Sequence, residues 1–150
     1  MRAFISIKLS KEAVEEIKII QKELKDFGLF DGKITEEENL HLTLKFLGEI
    51  DERKIEDVKK RLKKVRLEKF KVNLAEVGVF SPSFVKIIWV HLIGAEELQK
   101  QIDEALESLF EKEKRFMSHI TIARVKKVKD KRTLFELLKK IKVKGIDFEV

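Results

Sequence analysis

Hydrophobic and polar positions change period several times along this chain, and each change marks an element. From Ala3 to Leu9 they alternate in a stretch rich in Phe and Ile, which predicts a first strand. Ser10 follows as a helix cap, and Val14, Ile17, Gln21, Leu24 and Phe27 then recur at helical spacing. A loop containing Gly28 and Gly32 leads into a strand over Leu40–Leu47. Ile55, Val58, Leu62 and Val65 mark a second amphipathic helix, basic on its outer face, and Phe70–Val77 returns to a strand. Val85–Leu92 is the next strand, and Leu98, Ile102, Leu106 and Leu109 mark a helix. Ser118–Arg124 is a strand, Leu134, Leu137, Leu138 and Ile141 mark the last helix, and Ile146–Val150 opens a final strand.

The order strand, helix, strand, helix, strand is thus written twice. His41 and His119 lie 78 residues apart, as do Thr43 and Thr121, and Phe70-Lys-Val72 maps onto Phe148-Glu-Val150 at the same offset. A register held across strand, helix and strand predicts two copies of one βαβαβ unit related by a pseudo-twofold axis. The expected fold class is α+β: one two-lobed domain over residues 1–150, with halves at roughly 1–80 and 81–150. After Val72 the first copy continues through NLAEVGVF, whereas the second stops at Val150. A short last strand, or a chain truncated within one, is the expectation.

Composition narrows the class. The 150 residues are 43% hydrophobic and 40% charged with a single proline, which describes a folded chain rather than a disordered one. Apolar runs such as Ile87–Val90 are far too short to cross a bilayer, and the alternating N-terminus has no cleavage-site pattern. Cysteine is absent, which removes disulfides, thiolate nucleophiles and cysteine-bound zinc and makes a cytoplasmic location the expectation. A net charge of +6 favours an anionic partner. Abundant Lys and Glu with scarce Asn and Gln resemble proteins of hot habitats, which bears on habitat and not on function.

Two of the three histidines head the same phrase, HLTL at His41–Leu44 and HITI at His119–Ile122. In a strand, residues two apart share a face, so His41 joins Thr43 and His119 joins Thr121, with the aliphatic residues opposite. A pseudo-twofold axis would bring both polar faces to one groove. Two imidazoles there suit acid–base chemistry on a phosphodiester, one accepting a proton while the other donates. Two hydroxyls can hold the non-bridging oxygens where charge builds up, and this proton transfer requires no metal or other cofactor.

HLTLKFLG at His41–Gly48 and SHITIAR at Ser118–Arg124 resemble the paired signatures of the two-histidine (2H) phosphoesterases, above all the LigT-like RNA 2′,3′-cyclic phosphodiesterases, also called 2′-5′ RNA ligases. The resemblance runs from the MRAFISIKL opening to the FEV ending. It implies a duplicated βαβαβ fold with antiparallel sheets lining a groove, His41 and His119 as the catalytic pair, and Thr43 and Thr121 as phosphate ligands. Arg124 matches a family arginine of the substrate pocket, although an undistorted strand would turn it away from the face of His119, so that role requires the strand to end or bulge. Ser118 stands where many members have proline, and members usually continue for one more strand. The implied reaction opens a terminal 2′,3′-cyclic phosphate on RNA to a 2′-phosphate, with no cofactor. One histidine activates water and the other protonates the departing 3′-oxygen, in an order the symmetry leaves open. A ribose hydroxyl in place of water would make or break 2′-5′ linkages.

Other residues and other functions compete with this reading. His91 lacks a following threonine and a repeat mate, and reads as a structural or surface histidine. A zinc site of His41, His91 and His119 has the right ligand number, but nothing in the spacing brings His91 to the pair. Trp89 and the phenylalanines read as core. Phe46 and Phe84 are candidates for base stacking, with Phe46 expected on the apolar face. The basic runs Lys126–Arg132 and Lys59–Arg66 read as solvated, the first also placed to guide an RNA end. The expected partners are RNA ends or nucleotide cyclic phosphates, with no membrane, and the expected state is a monomer. The rivals are a phosphodiesterase for small cyclic nucleotides or ADP-ribose cyclic phosphate, and a module that holds RNA ends without turnover.

Overall fold

The computed structural model describes all residues except 66–68, 81–82, 114–115 and 150. Among the described residues seven strands and four α-helices follow in the order β1 (Arg2–Lys8), α1 (Lys11–Phe27), β2 (Phe30–Ile34), β3 (His41–Glu49), α2 (Glu52–Leu62), β4 (Lys71–Val79), β5 (Ile87–Ile93), α3 (Glu96–Ala105), β6 (His119–Val128), α4 (Lys131–Lys140) and β7 (Asp147–Glu149), with one 3-10 turn at Glu37–Asn39 before β3. Every strand and helix expected from the periodicity is present, within a few residues at the ends. Caps explain several boundaries. Ser10 Oγ accepts from the Ala13 N–H at α1, and Asp51 and Asp130 do the same for Lys54 at α2 and Thr133 at α4. Gly28 ends α1 in the left-handed region at φ 61°, where a Cβ would be strained.

One strand was not expected. β2 occupies the segment read as a loop, and its glycine and charges hide it from any period-two reading. It forms because it pairs antiparallel with β6, Lys33 opposite Arg124 and Ile34 opposite Ala123. Gly32 is required there, since a Cβ would stand 2.1 Å from the Arg124 carbonyl oxygen.

The strands form two antiparallel sheets, one of β1 and β3 and the other in the order β2–β6–β5–β4–β7. The division between sheets does not fall at residue 80, where the repeat divides the sequence. β2 and β4 of the first copy lie in the larger sheet, hydrogen-bonded to β6 and β5 of the second. Helices are exchanged as well: α1 packs on β6, and α3 packs on β3. Ile17, Ile20 and Leu24 of α1, Leu42 of β3, Ile88 and Leu92 of β5, and Ile120 and Ile122 of β6 are fully buried in one continuous core. Among the described residues no helix is long and apolar enough to cross a membrane. Arg66 of the basic run after α2, and Val150 at the expected last strand, lie outside the described residues.

Candidate active site

β3 and β6 each begin with their histidine. His41 and Thr43 are half-buried with Leu42 buried between them, and His119 and Thr121 flank the buried Ile120 in the same way. Alternation therefore turns each His/Thr pair to one face, as the strand period dictates. The four side chains line one open cavity of about 540 Å³, together with Arg124, Lys33, Phe4 and Phe46.

The period then breaks in both strands at the same point of the repeat. Ser6 pairs with Thr43 and Ile5 with Lys45, so Leu44 is an extra residue in β3. Trp89 pairs with Thr121 and Ile88 with Ala123, so Ile122 is an extra residue in β6, 78 positions on. These are β-bulges, each marked by two consecutive buried side chains, Leu44–Lys45 and Ile122–Ala123. Beyond each bulge the faces are exchanged. Arg124 turns into the cavity, as the family resemblance required. Phe46, expected on the apolar face, is instead 73% exposed and lines the cavity, its ring tilted against Phe4 at 6.3 Å.

The two histidines have different neighbours. His41 stacks on Phe4, with ring centroids 5.0 Å apart and planes 15° from parallel. His119 donates from Nδ1 to the Met117 carbonyl at 2.6 Å, which leaves Nε2 as the free nitrogen of the neutral ring. Phe80 meets His119 edge-on at 4.6 Å, and Trp89 lies 6.5 Å from it. His91 is directly opposite His119 in the β5–β6 ladder, a proximity that sequence spacing did not reveal because it comes from pairing between strands. Its Nδ1 engages Glu76 Oε1 at 2.9 Å. No group of three ligand-type side chains that could hold a metal occurs among the described residues.

A family model for LigT-like phosphoesterases matches residues 7–89, more than half of the chain. The chain belongs to that family. It is 36% identical to the RNA 2′,3′-cyclic phosphodiesterase of Methanocaldococcus jannaschii, over 99% of this chain and 84% of the relative. With the RNA 2′,3′-cyclic phosphodiesterase of Thermotoga maritima it shares 35% identity over 87% of this chain and 73% of the other. The LigT-like fold recurs in the TT0787 protein of Thermus thermophilus, with a TM-score of 0.76, 23% identity and coverage of 100% and 84% of the two chains. It recurs in E. coli LigT complexed with 3′-AMP at a TM-score of 0.71, 24% identity and coverage of 99% and 83%.

In this LigT-like chain, burial lowers the pKa of both histidines. For His119 the hydrogen bond to the Met117 carbonyl offsets part of the effect. Both rings are therefore biased toward the neutral form. Several cavity residues escaped the sequence reading. Phe4 shares its strand face with Ser6 and Lys8, and an aromatic among polar positions was the available signal. Trp89 does not line this cavity but is half-buried on the face that carries His119, in a neighbouring pocket with Phe80 and His91, rather than in the core. Lys33 belongs to the unexpected β2 and bridges to Glu36 at 3.0 Å. Phe84, the other stacking candidate, is exposed beneath Lys86 and does not line the cavity. In the basic run Lys126–Arg132, which begins within β6, Lys126 and Lys127 are exposed, while Lys129 pairs with Asp31 and Asp130 caps α4.

Proposed function

We propose that this protein is an RNA 2′,3′-cyclic phosphodiesterase that opens a terminal cyclic phosphate to a 2′-phosphate. The observation that carries the reading is the duplicated His/Thr quartet around a single cavity, in a chain whose relatives bear that name. One imidazole accepts a proton from water as its oxygen attacks phosphorus. The bond from phosphorus to the 3′-oxygen breaks, and the other imidazole, protonated, delivers a proton to that oxygen. Thr43 and Thr121 donate to the non-bridging oxygens, and Arg124 adds a positive charge at the cavity wall. Phe46 and Phe4 present an aromatic surface for the terminal base. All of these groups come from one chain, and we read the working unit as a monomer.

The decisive experiment incubates the protein with an oligonucleotide ending in a 2′,3′-cyclic phosphate, in excess chelator, and identifies the product isomer. A 2′-phosphate end is expected, and His41→Ala and His119→Ala should each remove most turnover. A 3′-phosphate product, activity that needs an added divalent ion, or an active variant of either histidine would overturn the reading.

A further inference from the structure

Gln21 and Gln99 are separated by the same 78 residues as the histidines and the threonines. One stands on α1 and the other on α3, and they are 6% and 5% exposed. A buried amide costs free energy unless its hydrogen-bonding groups find partners. Gln21 Nε2 donates to the Ile122 carbonyl and to the Thr35 carbonyl, both at 2.9 Å. Gln99 Nε2 donates to the Leu44 carbonyl at 3.5 Å and to Asp103 Oδ2 at 3.0 Å.

Ile122 and Leu44 are the extra residues of the two bulges. Each glutamine therefore holds the backbone at the place where its target strand changes face. The contacts also cross over. Gln21 of the first copy holds the bulge of the second, and Gln99 of the second holds the bulge of the first, which is the reciprocity of a twofold interface. The Ile122 carbonyl receives a further bond from the Thr35 N–H at 3.0 Å. Among the described residues β3 pairs only with β1 in its sheet, and the Gln99 contact is the longer of the two.

We propose that Gln21 and Gln99 are positioning residues of the phosphodiesterase site, acting through the bulges rather than on substrate. Gln21 fixes the backbone offset that turns Arg124 into the cavity, and Gln99 fixes the offset that turns out Phe46. Because each reaches into the other copy, they also hold the two His/Thr faces in mutual register. The proposal rests on the phosphodiesterase reading above.

A double-mutant cycle tests it, with kcat and KM measured on the cyclic-phosphate oligonucleotide well below each variant's Tm. Gln21→Met should lower kcat/KM by about 10- to 100-fold, the scale of a small misplacement of catalytic groups, and Gln99→Met by less. In the Arg124→Ala background, Gln21→Met should add less than about half of its wild-type effect on a logarithmic scale, while keeping its full effect beside Phe46→Ala. Full multiplication of Gln21→Met with Arg124→Ala, or wild-type kinetics for Gln21→Met, overturns the proposal. Should Gln21→Met not fold, Gln21→Glu replaces it. Buried and protonated, that acid can again donate to the Ile122 carbonyl, so its activity relative to wild type should rise as pH falls. A constant ratio would count against the proposal. His41→Ala and His119→Ala run beside these variants: if either is active, the phosphodiesterase reading itself fails, and if both are silent, only the glutamine proposal is at stake.

Discussion

His41 and His119 share a sequence phrase but not a surrounding, and both are pushed toward neutrality by burial. A histidine with a folded pKa below its unfolded value binds its proton more weakly when folded. The linked stability is therefore complete above the ordinary value of about 6.5 and is lost as pH falls through the folded pKa values. Denaturant midpoints for wild type should fall over that window more than those of the His41→Asn/His119→Asn double variant, and parallel curves would contradict the shifts. For activity, the acid limb of kcat/KM should lie below about pH 6.5, because it reports the free protein's essential base. The alkaline limb of kcat should lie above that of kcat/KM, since the bound phosphate stabilises the imidazolium. The threonines provide a separate check. Thr43→Val and Thr121→Val keep strand propensity and nearly keep shape, and each should lower kcat/KM by about tenfold to a hundredfold with little change in the pH profile. Wild-type turnover in both would remove the phosphate clamp. His, Thr and their shared face were legible because they depend only on the two-residue period of a strand. The ring of Phe4 on His41 and the place of His91 opposite His119 were not, because they are set by which strand lies alongside.

At the scale of elements, the bulges decide which side chains reach the cavity, and the local sequence hardly announces them: Ile122–Ala123 sets two apolar residues in succession, but Leu44–Lys45 keeps the alternation. Lys45 continues the polar alternation of His41 and Thr43, so nothing in the pattern marks it as buried. It is 2% exposed, and its Nζ lies 2.5 Å from Asp103 Oδ1 and 2.7 Å from the Glu111 carbonyl. Burial acts to raise the Asp103 carboxyl, but hydrogen bonds from Lys45, Gln99 and the Glu113 N–H outweigh it and hold its pKa below the usual range. The repeat mate of Lys45 is Ala123, so this network exists on one side of the pseudo-axis only. Removing one member of a buried ion pair leaves the other charged and unpaired. Lys45→Met should therefore cost about 3 to 5 kcal/mol of stability in denaturant unfolding. Lys45→Met/Asp103→Asn, which neutralises both, should recover most of that loss. A Lys45→Met variant as stable as wild type would show that the pair contributes nothing to the fold.

The whole molecule joins two copies that exchange helices and strands: β1 and β3 of the first copy form the small sheet, while the larger sheet takes strands from both. The repeat was legible as an offset of 78, yet the offset describes equivalence and not neighbourhood, and the partition into sheets follows from pairing that no window of sequence contains. The same arrangement sets the electrostatics. The net charge of +6 is not spread evenly over the site: Arg124 and Lys33 face each other across β6 and β2 at the cavity wall, and Lys126 and Lys127 stand exposed further along β6. A mononucleotide cyclic phosphate can engage the cavity but has no further phosphates to place along that edge. An RNA end does, and each phosphate it sets against a cation releases counterions, worth a log–log salt slope of about −0.7 per contact for single strands. The value of kcat/KM should therefore fall more steeply with salt for a cyclic-phosphate oligonucleotide than for the matching mononucleotide. Lys126→Gln should reduce the oligonucleotide slope by about one contact while leaving the mononucleotide unchanged. Lys33→Gln, at the cavity wall, should weaken both substrates. Equal slopes for the two substrates would mean that only the terminal nucleotide is recognised, and would move the assignment from RNA ends to small cyclic nucleotides.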